Sequence, residues 1–321
     1  MSIAVLGAGA FGTALAISLA RDGRAVRLWA RDADHCAAMA RDRQNGARLD
    51  GFAFPDSLQV VSDLSLVADV DTILLAIPTQ KLGGFLQQSG DLLDGKALVA
   101  CCKGIDLSTG QGPTTTIQTH SRNAKAAILS GPSFARDIAA GLPTALTLAA
   151  KTSAQATSLQ SQLSTANLRL YRSTDITGVE LGGALKNVIA IACGACIGQG
   201  MGESARASLM TRGFAEMQRL AVHLGAQPET LAGLSGFGDL ALTCSSDMSR
   251  NYRFGLALGR QEEFDASVTV EGAATAQAAL ALGQQHGLDL PITQAVTRIA
   301  ARECSVADAI ADLFRRPLRA E

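Results

Sequence analysis

A chain of 321 residues, 47% hydrophobic but only 4% aromatic, has enough apolar material for two domains with cores of small aliphatic side chains. A formal net charge of −1 argues against nucleic-acid binding, which needs a basic excess or stripe. No apolar run reaches the ~18 residues of a membrane span without a charge or repeated glycines, and seven cysteines in no framework-like spacing point to a reducing compartment, so a cytoplasmic location is expected.

The chain opens on an apolar strand ending at Leu6, followed by Gly7-Ala8-Gly9-Ala10-Phe11-Gly12 and a helical run. Three glycines at this spacing between strand and helix form a dinucleotide fingerprint. The first permits a tight turn, the second lets backbone approach a pyrophosphate, and the third lets the helix lie close to the strand. The absence of a basic leader and the interrupting glycines argue against a signal peptide. A second strand, 25–29, ends at Ala30-Arg31-Asp32, where an NAD enzyme places a carboxylate on the ribose. Arg31 suits a 2′-phosphate instead, which favours NADP or dual use; the alternative is a solvated surface arginine.

A helix is predicted over 33–43, and buried strands over 72–78, 97–102 and 126–130. Strands at 144–149 and 168–172 flank a helix at 153–163 and extend or cap the sheet. Alternation of strands and helices predicts an α/β fold, an N-terminal Rossmann-like, doubly wound parallel sheet with ligands beyond its carboxyl edge. Past residue 177 the strand signal fades and helical periodicity takes over at 205–224, 269–286 and 291–304. The expected division is therefore 1–177, dinucleotide-binding, and 178–321, a smaller all-helical substrate-binding domain.

Residues 181–198 are nearly all small or apolar, as in a helix buried on every face, yet they include Lys186 and Asn187. A buried ammonium must find a carboxylate, reach water or face a cleft where proton transfer is useful. With 22 arginines against six lysines, Lys186 and Lys103 stand out as cations that can release a proton. An ion-paired core lysine and a solvated loop lysine are the respective alternatives. Cys193 and Cys196 lie inside the apolar helix without a second such pair or a nearby histidine, and read as core residues. The four histidines form no ligand spacing, and no metal is assigned. Asp239, between glycines and an apolar turn, is placed to pair with a buried cation. Ser249-Arg250-Asn251 combines a hydroxyl, a guanidinium and an amide suited to a phosphate, or is an ordinary helix N-cap.

Together these segments resemble the bacterial NAD(P)-dependent glycerol-3-phosphate dehydrogenases over almost the whole chain. The resemblance rests on GAGAFGTALA from Gly7, CCKGID from Cys101, SGPSFARDIAAGLPTA from Ser130, ELGGALKNVIAIACG from Glu180, TRGFAEM from Thr211, GFGDLALTC from Gly236, SRNYRFG from Ser249 and VEG from Val270. It implies interconversion of dihydroxyacetone phosphate and sn-glycerol 3-phosphate with NAD or NADP, supplying glycerol 3-phosphate for glycerophospholipid synthesis, in a homodimer. It implies that Lys186 handles the proton, that Asp239 orients and charge-balances it, and that Lys103 meets both substrate and cofactor. Gly131, Ser133, Asn187, Thr243, Ser249, Arg250 and Asn251 match substrate-binding positions. Gly7, Gly9, Ala10, Phe11, Gly12, Arg31, Ala135, Arg250 and Glu271 match cofactor contacts. Two departures stand out: Ala10-Phe11 lacks a hydroxyl the family often carries there, and Ala273 follows VEG where a bulkier residue is common. A hydroxyacid dehydrogenase of related architecture, with a carboxylate at the Arg250 position, is the enzymatic rival; a dinucleotide sensor without turnover is the non-enzymatic one.

Overall fold

The structure, a computed structural model, describes residues 2–266 and 268–315. Its first compact unit comprises the chain up to Lys103 together with Gly112–Glu180, and its second comprises Gly104–Gln111 together with the chain from Leu181 onward.

In the first unit the elements are β1 (Ser2–Leu6), α1 (Ala10–Arg21), β2 (Ala25–Trp29), α2 (Ala33–Asp42), β3 (Gln44–Asn45), β4 (Leu49–Ala53), β5 (Leu58–Val61) and β6 (Thr72–Leu75). They continue as α3 (Thr79–Ser89), β7 (Ala97–Ala100), α4 (Pro113–His120), β8 (Lys125–Ser130), α5 (Ala135–Ala140), β9 (Thr144–Ala150), α6 (Ser153–Leu163) and β10 (Leu168–Ser173). Eight strands form one sheet in the order β10-β9-β8-β7-β6-β1-β2-β5, while β3 and β4 make a separate antiparallel pair. The chain winds outward from β1 in both directions, so the order reverses between β1 and β6, where a doubly wound sheet opens its ligand crevice.

Alternation within each strand explains the helices on both faces. Ile3 and Val5 enter one buried cluster and Ala4 and Leu6 another, and β7 divides the same way between Val99 and the pair Leu98 and Ala100. A strand buried on both sides reads as a continuous apolar run, which is how β1, β6 and β7 appear in the sequence.

The sheet is not wholly parallel as expected. β9 pairs with β8 antiparallel, and β10 then runs parallel to β9. The physical cause is the connection: between β8 and β9 lies only the six-residue α5 with its flanking turns, whereas α6 gives β9 and β10 a full crossover.

The second unit is helical: α7 (Ile176–Gly198), α8 (Glu203–His223), α9 (Pro228–Ala232), α10 (Asp239–Thr243), α11 (Arg250–Arg260), α12 (Glu271–Gln285), α13 (Pro291–Ala300) and α14 (Val306–Phe314). The division between units falls inside α7, between Glu180 and Leu181, rather than at 177/178. No turn chemistry marks it because the helix continues through it. Gly104–Gln111 also groups with the second unit, where Ile105 is buried among Leu181, Leu185 and Val188.

By length and hydropathy α7 could cross a membrane, but 89% of its apolar window is buried in the protein. Its small residues serve close packing. A side chain at Gly194 would strike the Tyr252 carbonyl and one at Gly198 the Leu256 carbonyl, while Gly255 and Gly259 meet the backbone of Ile191 and Ala195 in the same way. Glycines four apart on both helices thus let α11 lie against α7, which fixes the position of the α11 N-terminus.

Candidate active site

In the first unit the carboxyl ends of β1, β6, β7 and β8 share one edge, because these strands are mutually parallel. Gly7 turns there with φ +112°, and a Cβ on it would lie 2.5 Å from the Ala76 carbonyl oxygen. A Cβ on Gly12 would run into the Gly7 carbonyl and come 2.8 Å from the Ala76 methyl, so this glycine lets α1 approach the sheet. Gly9 differs: a Cβ on it meets nothing within 4 Å. It is also the N-cap of α1 and no side chain caps that end. Unpaired N–H groups, the positive end of a 12-residue helix and open space at the middle glycine fit a pyrophosphate. Ala10 and Phe11 begin α1 and pack partly buried against the core, so the missing hydroxyl leaves helix and turn intact.

Arg31 is exposed just past β2. Asp32, next to it, is the N-cap of α2, its Oδ1 accepting the His35 N–H at 3.1 Å. Farther along the same edge, Lys103 donates to the Gly131 carbonyl at 3.0 Å and the Ser133 hydroxyl donates to that same oxygen at 3.1 Å. Ala135 begins α5 two residues on.

In the second unit Lys186 is buried, and its ammonium donates to Thr243 Oγ1 at 2.7 Å and pairs with Asp239 Oδ1 at 3.2 Å. Thr243 in turn donates to Asp239 Oδ1 at 3.2 Å. Asp239 and Thr243 begin and end α10, four residues apart and hence on one face, which is why both reach a single ammonium. Lys186 is thus an ion-paired buried lysine, its charge met by the Asp239 carboxylate. Burial and the neighbouring Cys193 hold the Cys244 thiol well above the ordinary thiol range, so the cysteine beside this cluster stays un-ionised.

Ser249 is the N-cap of α11, its hydroxyl accepting the Tyr252 N–H at 3.2 Å. The capping alternative therefore holds for this residue, and it leaves Arg250 exposed on the first turn. Asn251 is buried and its Oδ1 accepts the Gly272 N–H at 2.9 Å, tying the start of α12, where Glu271 lies, to that of α11. A side chain at Gly272 would crowd the Asn187 carbonyl and Asn251 Oδ1, so Asn187, Asn251 and Glu271 are held as one group.

Two carboxyls, the half-buried Glu180 and the buried Glu216, went unread in the sequence. Glu180 accepts the Thr114 N–H at 2.6 Å at the start of α4, and burial pushes it up to about 7. Glu216 accepts the Ile292 and Thr293 N–H groups at the start of α13, and burial raises it too. Each caps a helix distant in sequence. Glu180 had a signal in its position just before an all-apolar run; Glu216, among the charges of α8, had none.

Two family models match the chain: the N-terminal model of NAD-dependent glycerol-3-phosphate dehydrogenase over residues 2–156 and the C-terminal model over 175–311. A glycerol-3-phosphate dehydrogenase [NAD(P)+] of Ruegeria sp. (strain TM1040) is 59% identical over the full length of both chains. A protein of the same description from Roseobacter denitrificans is 55% identical, again with full coverage of both. Among solved structures, the glycerol-3-phosphate dehydrogenase of Coxiella burnetii is 37% identical and superposes with a TM-score of 0.93, covering 98% of this chain and 99% of its own. The chain belongs to the NAD-dependent glycerol-3-phosphate dehydrogenase family.

Proposed function

We propose that this chain is a glycerol-3-phosphate dehydrogenase that interconverts dihydroxyacetone phosphate and sn-glycerol 3-phosphate with NAD(P)H and NAD(P)+. The observation that carries the reading is the buried Lys186–Thr243–Asp239 cluster in a chain matched over nearly its whole length by the family models. Gly7, Gly9, Ala10, Phe11, Gly12 and Arg31, together with Ala135 and Glu271, would hold the dinucleotide, which would supply or accept the hydride at the substrate's C2. As the ketone is reduced, negative charge grows on its oxygen. Lys186 stabilises that charge and delivers the proton.

Thr243 and Asp239 fix the ammonium at a defined point, and Asp239 balances its charge. In the oxidative direction a neutral Lys186 takes the hydroxyl proton. Lys103 adds a second positive charge toward the carbonyl, with Gly131 and Ser133 positioning the loop. Arg250, at the α11 N-terminus with Ser249 and the amide of Asn251, grips the phosphate. Asn187 completes the substrate set. The exposed Arg31 and the capping engagement of Asp32 support acceptance of the 2′-phosphate of NADP alongside NAD. The product feeds glycerophospholipid synthesis, and the protein acts in the cytoplasm as a homodimer.

Initial rates with dihydroxyacetone phosphate and either NADH or NADPH test reaction and cofactor together. Loss of the NAD(P)H absorbance band is expected with both reductants. Faster turnover of a non-phosphorylated 3-hydroxy acid than of sn-glycerol 3-phosphate would overturn the assignment.

A further inference from the structure

Asn45, on the two-residue strand β3, is fully buried and uses its whole amide. Nδ2 donates to the Ala8 carbonyl at 2.9 Å and to Thr13 Oγ1 at 2.8 Å, and Oδ1 faces His35 Nε2 at 3.0 Å. Both amide protons are engaged, so the oxygen accepts and His35 carries its proton on Nε2. The side chain thus braces the glycine loop, the first helix and the start of α2.

The bond to Ala8 matters most. Ala8 is buried and Gly9 is exposed, and no peptide bond in the described residues is cis. In a trans peptide the C=O and the following N–H point in opposite directions. Drawing the Ala8 carbonyl inward onto Asn45 therefore turns the Gly9 N–H outward, on the residue where an added Cβ would meet open space. The support is itself fixed: Arg43, in the left-handed region at φ 51°, donates to the carbonyls of Leu58 at 3.0 Å and Pro55 at 2.6 Å, and its own carbonyl accepts the Phe54 N–H at 2.7 Å.

We infer that Asn45 is a positioning residue for the cofactor: by anchoring the Ala8 carbonyl it aims the Gly9 N–H at the dinucleotide pyrophosphate. The inference rests on the dinucleotide-binding reading above. It assigns Asn45 to binding and not to the chemical step, because its partners are the glycine loop and α1.

The test is fluorescence titration of NADH and NADPH with the full chain and its Asn45→Asp and Asn45→Leu variants, at a temperature where each is folded by circular dichroism, followed by kinetics. Both side chains are close in shape to asparagine, and neither restores the paired donation. The dissociation constants are expected to rise about tenfold, the loss of one well-placed hydrogen bond to a charged group. With cofactor saturating, kcat and the KM for dihydroxyacetone phosphate should stay within about twofold, since binding alone is affected. Wild-type affinity in either folded variant would overturn the inference even if its melting temperature fell. So would an equal fall in kcat at saturating cofactor. Absence of NAD(P)H binding by the unsubstituted chain would remove the functional reading itself, a result distinct from the variant outcomes.

Discussion

The two units build their binding groups from different materials. In the first, the groups offered to a ligand are largely backbone: glycines that turn, open a space or permit contact, and the N–H groups of a helix end. In the second they are side chains, a buried ammonium held by a hydroxyl and a carboxylate from another helix. Backbone sites depend on what is absent, a Cβ or a capping group, and they bind a shape that many dinucleotide enzymes share. Side-chain sites depend on charge placed where water is excluded, and that is where one reaction is told from another. Substitutions in the first unit should therefore act on affinity and folding, and those in the second on rate.

The largest expected effect tests the second half of that contrast. Lys186→Ala removes the proposed proton carrier and takes from the buried Asp239 its ion-pair partner. A fall in kcat of roughly 10³-fold or more is expected, at the upper part of the range for a general acid, with NADH affinity nearly unchanged. Stopped-flow or steady-state rates beside NADH titration check it. Wild-type-like turnover would remove Lys186 from the chemistry and leave it a structural ion pair.

The same contrast explains what could be read in advance. Gly7, Gly9 and Gly12 lie within six residues, so the whole backbone device is local and visible in the sequence. Lys186 stood out as a charge in an apolar helix, but its partners are 53 and 57 positions away, on a helix of only five residues with no periodicity to reveal it. Asp239 stood out between glycines as a partner for a buried cation, while the part of Thr243 came only from resemblance to a family. The antiparallel β9 escaped for a related reason: its apolar run is the same whichever way the strand points, and only the length of the connection through α5 decides. Asn45 and Glu180 act on groups 32 to 66 residues distant, and such tertiary hydrogen bonds leave no local pattern.

The fingerprint glycines sharpen the comparison within the first unit. Gly12→Ala forces a methyl into the Gly7 carbonyl and against Ala76, so it should destabilise the fold by about 1–3 kcal/mol, as overpacking does. Gly9→Ala meets no protein atom within 4 Å and its φ of −73° suits alanine, so stability should stay within about 0.5 kcal/mol of wild type. The new methyl instead enters the space proposed for the pyrophosphate, and NADH affinity should fall about tenfold or more. Chemical denaturation paired with NADH titration separates the two. If Gly9→Ala left affinity intact, the cradle would not be where the dinucleotide lies.

The last effect is one of pH, and it probes the residue at the division between the units. Burial raises Glu180 to about 7 from an ordinary 4.5, against the opposing pull of the Thr114 N–H. The folded state then holds this proton more tightly than the unfolded state. Its contribution to stability is full below about 4.5 and is lost as pH rises through about 7, beyond which it changes no further. Glu180→Gln cannot ionise, yet its amide oxygen can still accept the Thr114 N–H and cap α4. Denaturant titrations at pH 5 and pH 8 should show the variant losing less stability across that interval than wild type, with the two nearly equal at pH 5. An identical decline in both would mean that Glu180 is ionised in the fold across the whole interval, and that a carboxylate at the start of α4 is stabilised by the helix N-terminus more than burial penalises it.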